Sequence, residues 1–430
     1  MSLLMPLRRS LLDAVNRRFF YGWTMAGVAS LGVFASGPGQ SHTFSVFVEP
    51  ISRDLGISST EIATAYGMAT LAAALLLPLT GRIFDRYGPR RSLTGIVLLL
   101  GLACLFFGAA ANFLWLALGF GMLRFFGQGS LMLGSANLVS QWFSRKRGFA
   151  MSLMALGFAV SMAIHPPLSQ YLVAEIGWRR AWLVLGLSTW LIMLAPVLLM
   201  VFDTPESVGL RPDGDHAPEA GDGVEPAAIT GLTLHQALRT SSFHILAYGW
   251  FGLSMLTTAL HFYQVKILTL RGVSSEAAAL VFTMSALTMV VAMPLVGRLF
   301  DRVKTRYGLA LGLVIMAGSL IAMSLASGLT GAVVYALIFG LNNAFNLTMF
   351  GYMWPRYFGR LHVGSIQGTG QMVAVVGASL GPLPVGLAFD LIGDPSWILR
   401  LLALYPISAA CIVLAFLRTH PSIRDHAHLE

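Results

Sequence analysis

The chain has 430 residues, of which 56% are hydrophobic, and a mean hydropathy of +0.72. Only 11% of the residues are charged, too few to coat a water-soluble protein, so the composition excludes a soluble globular fold. The net charge of +9 would suggest nucleic acid in a soluble protein, but the basic residues here cluster in alternate connections between apolar stretches. The charge therefore indicates orientation in a membrane, and we expect no nucleic-acid partner.

A membrane-spanning helix needs about 20 apolar residues to cross about 30 Å of hydrocarbon. Twelve stretches meet this requirement, at residues 21–48, 60–80, 92–111, 114–140, 149–174, 182–201, 243–266, 277–296, 307–326, 331–353, 363–391 and 397–417. They predict an all-α polytopic membrane protein with twelve transmembrane helices.

The first span is interrupted by the polar cluster Ser36-Gly-Pro-Gly-Gln-Ser-His42. Pro38 lacks a backbone donor, and the glycines on either side of it loosen the turn, so the helix is expected to break here. Broken helices often border a substrate path, although a plain packing kink explains the same residues.

A densely charged segment, Gly81-Arg-Ile-Phe-Asp-Arg-Tyr-Gly-Pro-Arg-Arg91, follows the second span, and five of its first six residues recur from Gly297 to Arg302. Pro166 and Gly148 recur in the same register, at Pro382 and Gly364. The chain is therefore interpreted as a duplication that forms two pseudo-symmetric six-helix bundles. The expected bounds are 1–202 for the first bundle, 203–242 for a cytoplasmic linker rich in Gly and Pro, and 243–430 for the second bundle.

The charged segments are interpreted as conformational latches, because carboxylates at the membrane surface can pair with Arg side chains and helix N-termini in one state and release them in another. The candidate latch residues are Gly81, Asp85, Arg86, Gly88 and Arg90 in the first half and Gly297, Asp301 and Arg302 in the second.

The fourth span contains a charged residue, Arg124, and Gln128 follows one helical turn later on the same face. A charge at mid-bilayer costs about 2.5–3.5 kcal/mol, so Arg124 needs a compensating role. It either binds a substrate or bonds backbone carbonyls to hold helices together. Further candidate substrate-binding residues are His261 and Gln264 in the seventh span and Asn342 and Asn346 in the tenth.

The acidic residues lie near the ends of the spans, so a bound anion is the expected negative partner of Arg124. Among the histidines in apolar spans, His42, His165 and His261 could titrate near neutrality. His42 and His261 are the candidates for proton coupling, and a hydrogen-bonded structural role is the alternative for each.

The chain resembles the major facilitator superfamily in its two matched halves, its central linker and the segment from Gly81 to Arg91. Tyr21-Gly22-Trp23, Gly177-Trp178-Arg179 and Thr204-Pro205-Glu206 resemble the monocarboxylate porter branch and related bacterial carriers. Members of that branch often carry a charged residue in the eighth span, whereas this chain has none there. Arg124 offers a positive charge from the other half.

The resemblance implies a secondary transporter of a small organic anion, such as a monocarboxylate, that works by alternating access as a proton-coupled symporter or an exchanger. An exporter of an uncharged or amphiphilic molecule is the alternative, and a membrane enzyme or receptor is the alternative from another class. No cofactor or metal is expected. We expect a monomer in the lipid bilayer of the cell membrane, with both termini cytoplasmic.

Overall fold

The computed structural model describes residues 5–143, 146–214, 231–359 and 363–418. Side chains at residues 5, 7, 85, 147, 301, 352, 355 and 363 lie outside that description. Within the described ranges the backbone is almost entirely helical, and the only β-type pairing is one isolated bridge between Gly231 and Gly359. The all-α polytopic fold predicted from the sequence is confirmed.

The chain divides into two compact units. The first unit comprises Met1–Ile51 and Met68–Asp222, and the second comprises Ser52–Gly67 and Gly223–Glu430. Residues 52–67 thus group with the second unit, although they precede most of the first unit in the sequence.

The described residues of the first half form seven helices, two of which continue through a sharp bend. They are α1 (Met5–Asn16), α2 (Gly22–Ala35), α3 (Ser41–Leu55), α4 (Ser59–Gly108), α5 (Phe113–Leu123), α6 (Met132–Trp142) and α7 (Arg147–Met200). A 3-10 turn (Gly37–Gly39) separates α2 from α3, and a π-helical segment (Arg124–Leu131) joins α5 to α6. The bends lie at Gly88 in α4 and Gly177 in α7, whose φ angles are 76° and 78°.

In the part of the second half that the structure describes there are nine helices. They are α8 (Leu234–Leu238), α9 (Ser241–Leu270), α10 (Ser275–Arg302), α11 (Thr305–Leu325), α12 (Gly328–Phe358), α13 (Val363–Leu380), α14 (Pro382–Ile392), α15 (Ser396–Leu402) and α16 (Leu404–Phe416). Gly381 and Pro382 separate α13 from α14, while Ala403 separates α15 from α16.

Ten described stretches are long and apolar enough to cross a membrane. One of them, Phe149–Met200, has 52 residues, about 78 Å of helix, and its bend at Gly177 divides it into two crossings. The first span is a further crossing, built from α2, the turn and α3. Counted in this way, the stretches correspond to the twelve spans expected from the sequence.

Each unit has an aromatic core. In the first, the Trp182 ring lies 4.7 Å from that of Phe47 and 4.6 Å from that of Phe107. In the second, Trp354 packs against Phe243 and Phe358 with ring centroids 5.7 and 6.1 Å apart. Large aliphatic side chains such as Leu75 and Leu191 point outward instead. Exposed apolar faces around a packed interior are typical of helices that face lipid.

The duplication is also visible in the turns. Gly56 and Gly272, 216 positions apart, both have positive φ (64° and 79°), and each precedes the start of a spanning helix. Gly177 and Gly393 have the same separation and φ angles of 78° and 79°. A side chain at such positions would strain the backbone, so glycine fixes equivalent turns in both halves.

The start of the linker region packs onto the first unit. An Asp203 oxygen accepts a 2.8 Å hydrogen bond from the Arg90 backbone N–H, just after the bend at Gly88. Arg8 donates to the Val201 carbonyl (2.6 Å), and burial and the nearby charge of Arg90 hold the pKa of Arg8 below its ordinary value. These contacts satisfy the free ends of two spanning helices.

The other end of the linker region packs onto the second unit. The Leu232 N–H donates to the Phe358 carbonyl (2.8 Å). Thr233 and Gln236 then form a capping box at the start of α8. Residues 203–214 and 231–240 are therefore folded segments rather than free tethers.

Residues 52–67 are bound within the second unit by several polar contacts. Asp390 accepts hydrogen bonds from the N–H groups of Ser59 (3.1 Å) and Thr60 (2.8 Å), at the first turn of α4. The Tyr263 hydroxyl donates to the Ser59 carbonyl (2.8 Å), and the Lys266 ammonium donates to the Ser59 hydroxyl (2.7 Å). A carboxylate at a helix N-terminus is favoured by the helix dipole, so Asp390 stabilises this docking.

Candidate functional site

The expected break in the first span is confirmed. Gly37–Gly39 forms a single 3-10 turn, and all three residues are buried. The Gly37 carbonyl accepts from the Thr43 hydroxyl (2.7 Å), while the Gln40 amide donates to the Ser36 hydroxyl (3.0 Å). Neighbouring side chains thus replace the helical bonds that the break removes.

Arg124 lies at the start of the π-helical segment and is only 3% exposed. Its Nη1 donates to the Gly39 carbonyl (3.0 Å) and its Nε to the Thr70 hydroxyl (3.1 Å). These bonds orient the guanidinium through neutral acceptors, and the break in the first span supplies one of them. π-Helical turns occur frequently at functional sites.

The break and the π segment approach each other closely because glycine is present on both sides. A Cβ at Gly39 would overlap the Leu123 carbonyl oxygen and lie 2.8 Å from the Gln128 nitrogen. A Cβ at Gly127 would lie 3.0 Å from the Gly39 Cα. Arg124 and Gln128 are therefore gathered at the same turn, Arg124 through its side chain and Gln128 through its backbone. The Gln128 side chain is half-buried.

The second unit contains a different polar cluster, formed by α9 and α12. The side-chain nitrogens of Asn342 and Asn346 both donate to the Thr257 hydroxyl, at 3.4 and 3.1 Å. Thr257 in turn lies 3.8 Å from the Met316 sulfur. Among the described residues, the buried Oδ1 atoms of Asn342 and Asn346 have no hydrogen-bond partner. They are acceptors that a ligand hydroxyl or N–H group can use.

Gln264 and His261 also lie on α9, in fully buried positions. The Gln264 side-chain oxygen accepts from the Tyr335 hydroxyl (3.1 Å), and its Nε2 has no hydrogen-bond partner in the described part of the chain. The His261 ring packs against Phe339 and Phe282, with centroids 4.8 and 6.0 Å away. The four substrate-binding candidates of the second half thus share two neighbouring helices.

The candidate latch residues are only partly described. The side chains of Asp85 and Asp301 lie outside the described residues, so their pairing stays a prediction. Of the others, Gly88 forms the bend in α4, and the Arg90 N–H donates to Asp203. Gly81 and Gly297 have open space where a Cβ would lie, while Arg86 and Arg302 are exposed.

Sequence reasoning missed four residues that complete these clusters, namely Thr70, Thr257, Tyr335 and Ser161. His42, a proton-coupling candidate, lies 3.3 Å from the Ser161 hydroxyl through its Nε2. Isolated hydroxyls are ordinary in apolar helices and usually bond to their own backbone. The only available signal was their placement on the same helices as the candidate residues.

A model of the Major Facilitator Superfamily matches residues 29–273 and 267–429. Among curated proteins, the chain is 28% identical over 295 residues to a probable sulfoacetate transporter from Cupriavidus necator, covering 64% of each chain. It is 24% identical to human monocarboxylate transporter 11, covering 87% of this chain and 78% of the relative.

Among solved structures, the chain is similar to a bacterial homologue of the human lysosomal transporter Spinster in an inward-facing, occupied conformation. The TM-score is 0.68 at 14% identity, with 94% of this chain and 98% of that chain covered. At this identity the similarity concerns the fold alone.

Proposed function

Because the chain belongs to the Major Facilitator Superfamily of transporters, we propose that it is a secondary active transporter of a small organic anion, a carboxylate or a sulfonate, that works by alternating access. Membership of this family argues against a membrane enzyme, since members of the family transport solutes. The observation that carries the proposal is the buried Arg124, oriented by Thr70 and Gly39 beside a broken helix.

The chemistry of Arg124 favours an anion with oxygens in a planar or trigonal array. A guanidinium offers a rigid fork of N–H donors that can bind two such oxygens in parallel. The relatives named for sulfoacetate and monocarboxylate transport support the same class. In the second unit, the amide atoms of Asn342, Asn346 and Gln264 that have no partner among the described residues can bind polar groups of a ligand.

We further propose that the protein resides in the cytoplasmic membrane with both termini inside, because Lys and Arg are concentrated in alternate connections. Single cysteines at Gly214 and Asn112, on a background with Cys104 and Cys411 replaced, should be labelled from opposite sides. Labelling of both from outside intact cells would contradict this topology.

The experiment that tests the substrate class is uptake into proteoliposomes. A panel of lactate, sulfoacetate and uncharged analogues is compared for the wild type, Arg124→Ala and Arg124→Lys. Removing one partner of a buried charge pair costs about 3–5 kcal/mol, so Arg124→Ala should weaken anion binding more than about 100-fold. Arg124→Lys should weaken it at least about tenfold, because an ammonium cannot supply the planar fork.

Arg179→Ala is the matched control. Arg179 is another arginine of the first unit that donates to a backbone carbonyl, that of Ala110 (2.6 Å). Its replacement should lower stability without changing anion affinity. Each variant is compared by its melting temperature without ligand. A well-folded Arg124→Ala that binds the anions at wild-type affinity would refute the anion proposal, and uptake of the uncharged analogues alone would favour the exporter alternative.

A further inference from the structure

Three buried side chains in the first unit form a continuous row. His42 on α3 lies 3.3 Å from the Ser161 hydroxyl through its Nε2, and the same hydroxyl lies 3.1 Å from Nδ1 of His165. Ser161 and His165 are one turn apart on α7. All three are at most 5% exposed. Two imidazoles joined by one hydroxyl make a short path along which a proton can pass.

The hydrogen-bond network gives the row a direction. Nδ1 of His165 lies 3.2 Å from the Ser161 carbonyl oxygen, which can only accept, so this nitrogen is assigned the proton. The Ser161 hydroxyl accepts from His165 and is then able to donate its own hydrogen to Nε2 of His42. In this arrangement each imidazole is neutral and the hydroxyl links them.

The row touches the same turn as Arg124. A Cβ at Gly37 would overlap the ring of His165, so the imidazole lies directly against the break in the first span. Two residues along the same turn, the Gly39 carbonyl accepts from Arg124. A charge on the imidazole and the charge of Arg124 are therefore separated by one buried turn.

Few other ionisable groups face the row. Among the described helices, α2 and α6 pack against α7 and have no titratable side chain, and the turn Gly37–Gly39 has none either. On α3 the nearest are Glu49, Arg53 and Asp54, the first of them about 10 Å along the helix from His42. On α7, Tyr171 and Glu175 lie beyond His165 along the helix. Arg8, Arg9 and Asp13 belong to α1, and Arg8 contacts the Val201 carbonyl at the end of α7. Arg124 donates to the Gly39 carbonyl of the same turn that His165 contacts.

We propose that His42, Ser161 and His165 form the proton-binding and proton-transfer site of this transporter, and that proton binding is coupled to anion binding at Arg124. The inference rests on the proposed function. A proton that binds Nε2 of His165 displaces the Nδ1 proton to the Ser161 hydroxyl, which passes its own hydrogen to Nε2 of His42. The row then holds one additional proton, as an imidazolium at His42.

The coupling follows from electrostatics. A second positive charge beside Arg124 is unfavourable in a buried site, and a bound anion offsets it. The anion therefore promotes protonation of the row, and by thermodynamic reciprocity the proton promotes anion binding by the same factor. Anion and proton then move together, which makes the protein a symporter rather than an exchanger.

The test uses the purified full-length protein with lactate and sulfoacetate as probes. Calorimetry in buffers of different ionisation enthalpy should show uptake of about one proton per anion bound, and the apparent Kd should rise up to about tenfold per pH unit where the row titrates. In proteoliposomes, His165→Phe and Ser161→Ala should each lower accumulation driven by a pH gradient at least about tenfold. His244→Asn, an exposed histidine of the second unit, should behave as the wild type.

The outcomes separate the two proposals. If neither anion binds the wild type, the proposed function fails. If an anion binds in a manner that depends on Arg124 but no proton is taken up, only the proton site fails, and this measurement needs no variant that must fold. Wild-type accumulation in either His165→Phe or Ser161→Ala would also overturn the proton site.

Discussion

In the first unit the buried polar groups include a guanidinium and two imidazoles, and they are gathered around a helix break. In the second unit they include the His261 imidazole together with uncharged amides and hydroxyls, on two continuous helices, α9 and α12. The duplicated glycine turns are alike in the two halves, whereas these polar groups are not. The glycine turns are therefore common to both units, whereas the buried guanidinium lies in the first and the amide atoms without described partners lie in the second.

Under the proposed function, this difference gives the two units different roles. The unit with Arg124 would supply most of the affinity for an anion and the response to protons. The unit with Asn342 and Asn346 offers uncharged acceptors that can bind hydrogen-bond donors of a ligand. Each of the following changes tests a part of the contrast.

The largest effect is expected where the broken helix meets the π segment. In Gly39→Ala the new methyl would overlap the Leu123 carbonyl oxygen, and backbone on both sides resists movement. Overpacking of this kind costs about 1–3 kcal/mol, so thermal unfolding in detergent should shift down. Gly27→Ala, in α2 of the same unit, meets nothing within 4 Å and should instead stabilise by about 0.5–1 kcal/mol. Equal shifts for both variants would mean that the close approach is unimportant.

A smaller effect is expected in the second unit. Thr257→Val keeps the shape but removes the acceptor shared by Asn342 and Asn346. Hydrogen bonds between membrane helices average about 0.6 kcal/mol, so the loss of two should cost about 1 kcal/mol of the free energy of unfolding. Thr257→Ser keeps the hydroxyl and should have the free energy of unfolding of the wild type.

Thr269→Val is the control for that change, because its hydroxyl bonds only the Lys266 carbonyl of its own helix. Chemical denaturation of the isolated protein gives the free energy of unfolding of all three variants. The interpretation of Thr257 as the link between α9 and α12 is wrong if Thr257→Val and Thr269→Val are indistinguishable.

The smallest effect on stability is expected at the turns that follow Gly177 and Gly393. In the first unit Arg179 binds the Ala110 carbonyl, whereas in the second Asp394 pairs with Arg271 at 2.8 Å. Burial acts to raise the pKa of Asp394, but hydrogen bonds from Ser396 and the Arg271 guanidinium prevail and hold it below its ordinary value. An exposed pair of this kind contributes about 0.2–1 kcal/mol.

The sign of the pH dependence follows from that lowered pKa. The stabilisation is present above the unfolded-state pKa of about 3.9 and is lost as pH falls through the lower folded-state value. The difference in melting temperature between wild type and Asp394→Asn should therefore narrow below about pH 4. A difference that stays constant from pH 3 to pH 7 would show that the Asp394 carboxylate charge is not the cause.

Most of the fold could be predicted because the length of an apolar stretch and the positions of glycine and proline determine the backbone of that same stretch. The break at Gly37–Gly39 follows from Pro38 and two glycines, and the spans follow from stretches long enough to cross a bilayer. The bend at Gly177 lies in the gap between the spans predicted at 149–174 and 182–201, although the helix continues on both sides of it. The π segment could not be predicted, because its sequence also suits an α-helix.

The site could be predicted only in its rarest residues. Arg124 and the asparagines of α12 stand out because polar side chains are costly in an apolar span. Their partners Thr70 and Thr257 do not, since a threonine in such a helix ordinarily bonds its own backbone. The role of Ser161 depends on the packing of α3 against α7, and this is tertiary information that no local pattern contains.

Asp203 has a consequence for synthesis of the protein. Its carboxylate completes the helix start at Arg90, which precedes it by 113 residues. At a translation rate of about 5–20 residues per second, roughly 6–23 s pass between the two. During that interval the third span has been synthesised but lacks its cap. The first unit therefore acquires this cap only after the sixth span has been synthesised, and a chain that ends before Asp203 lacks it.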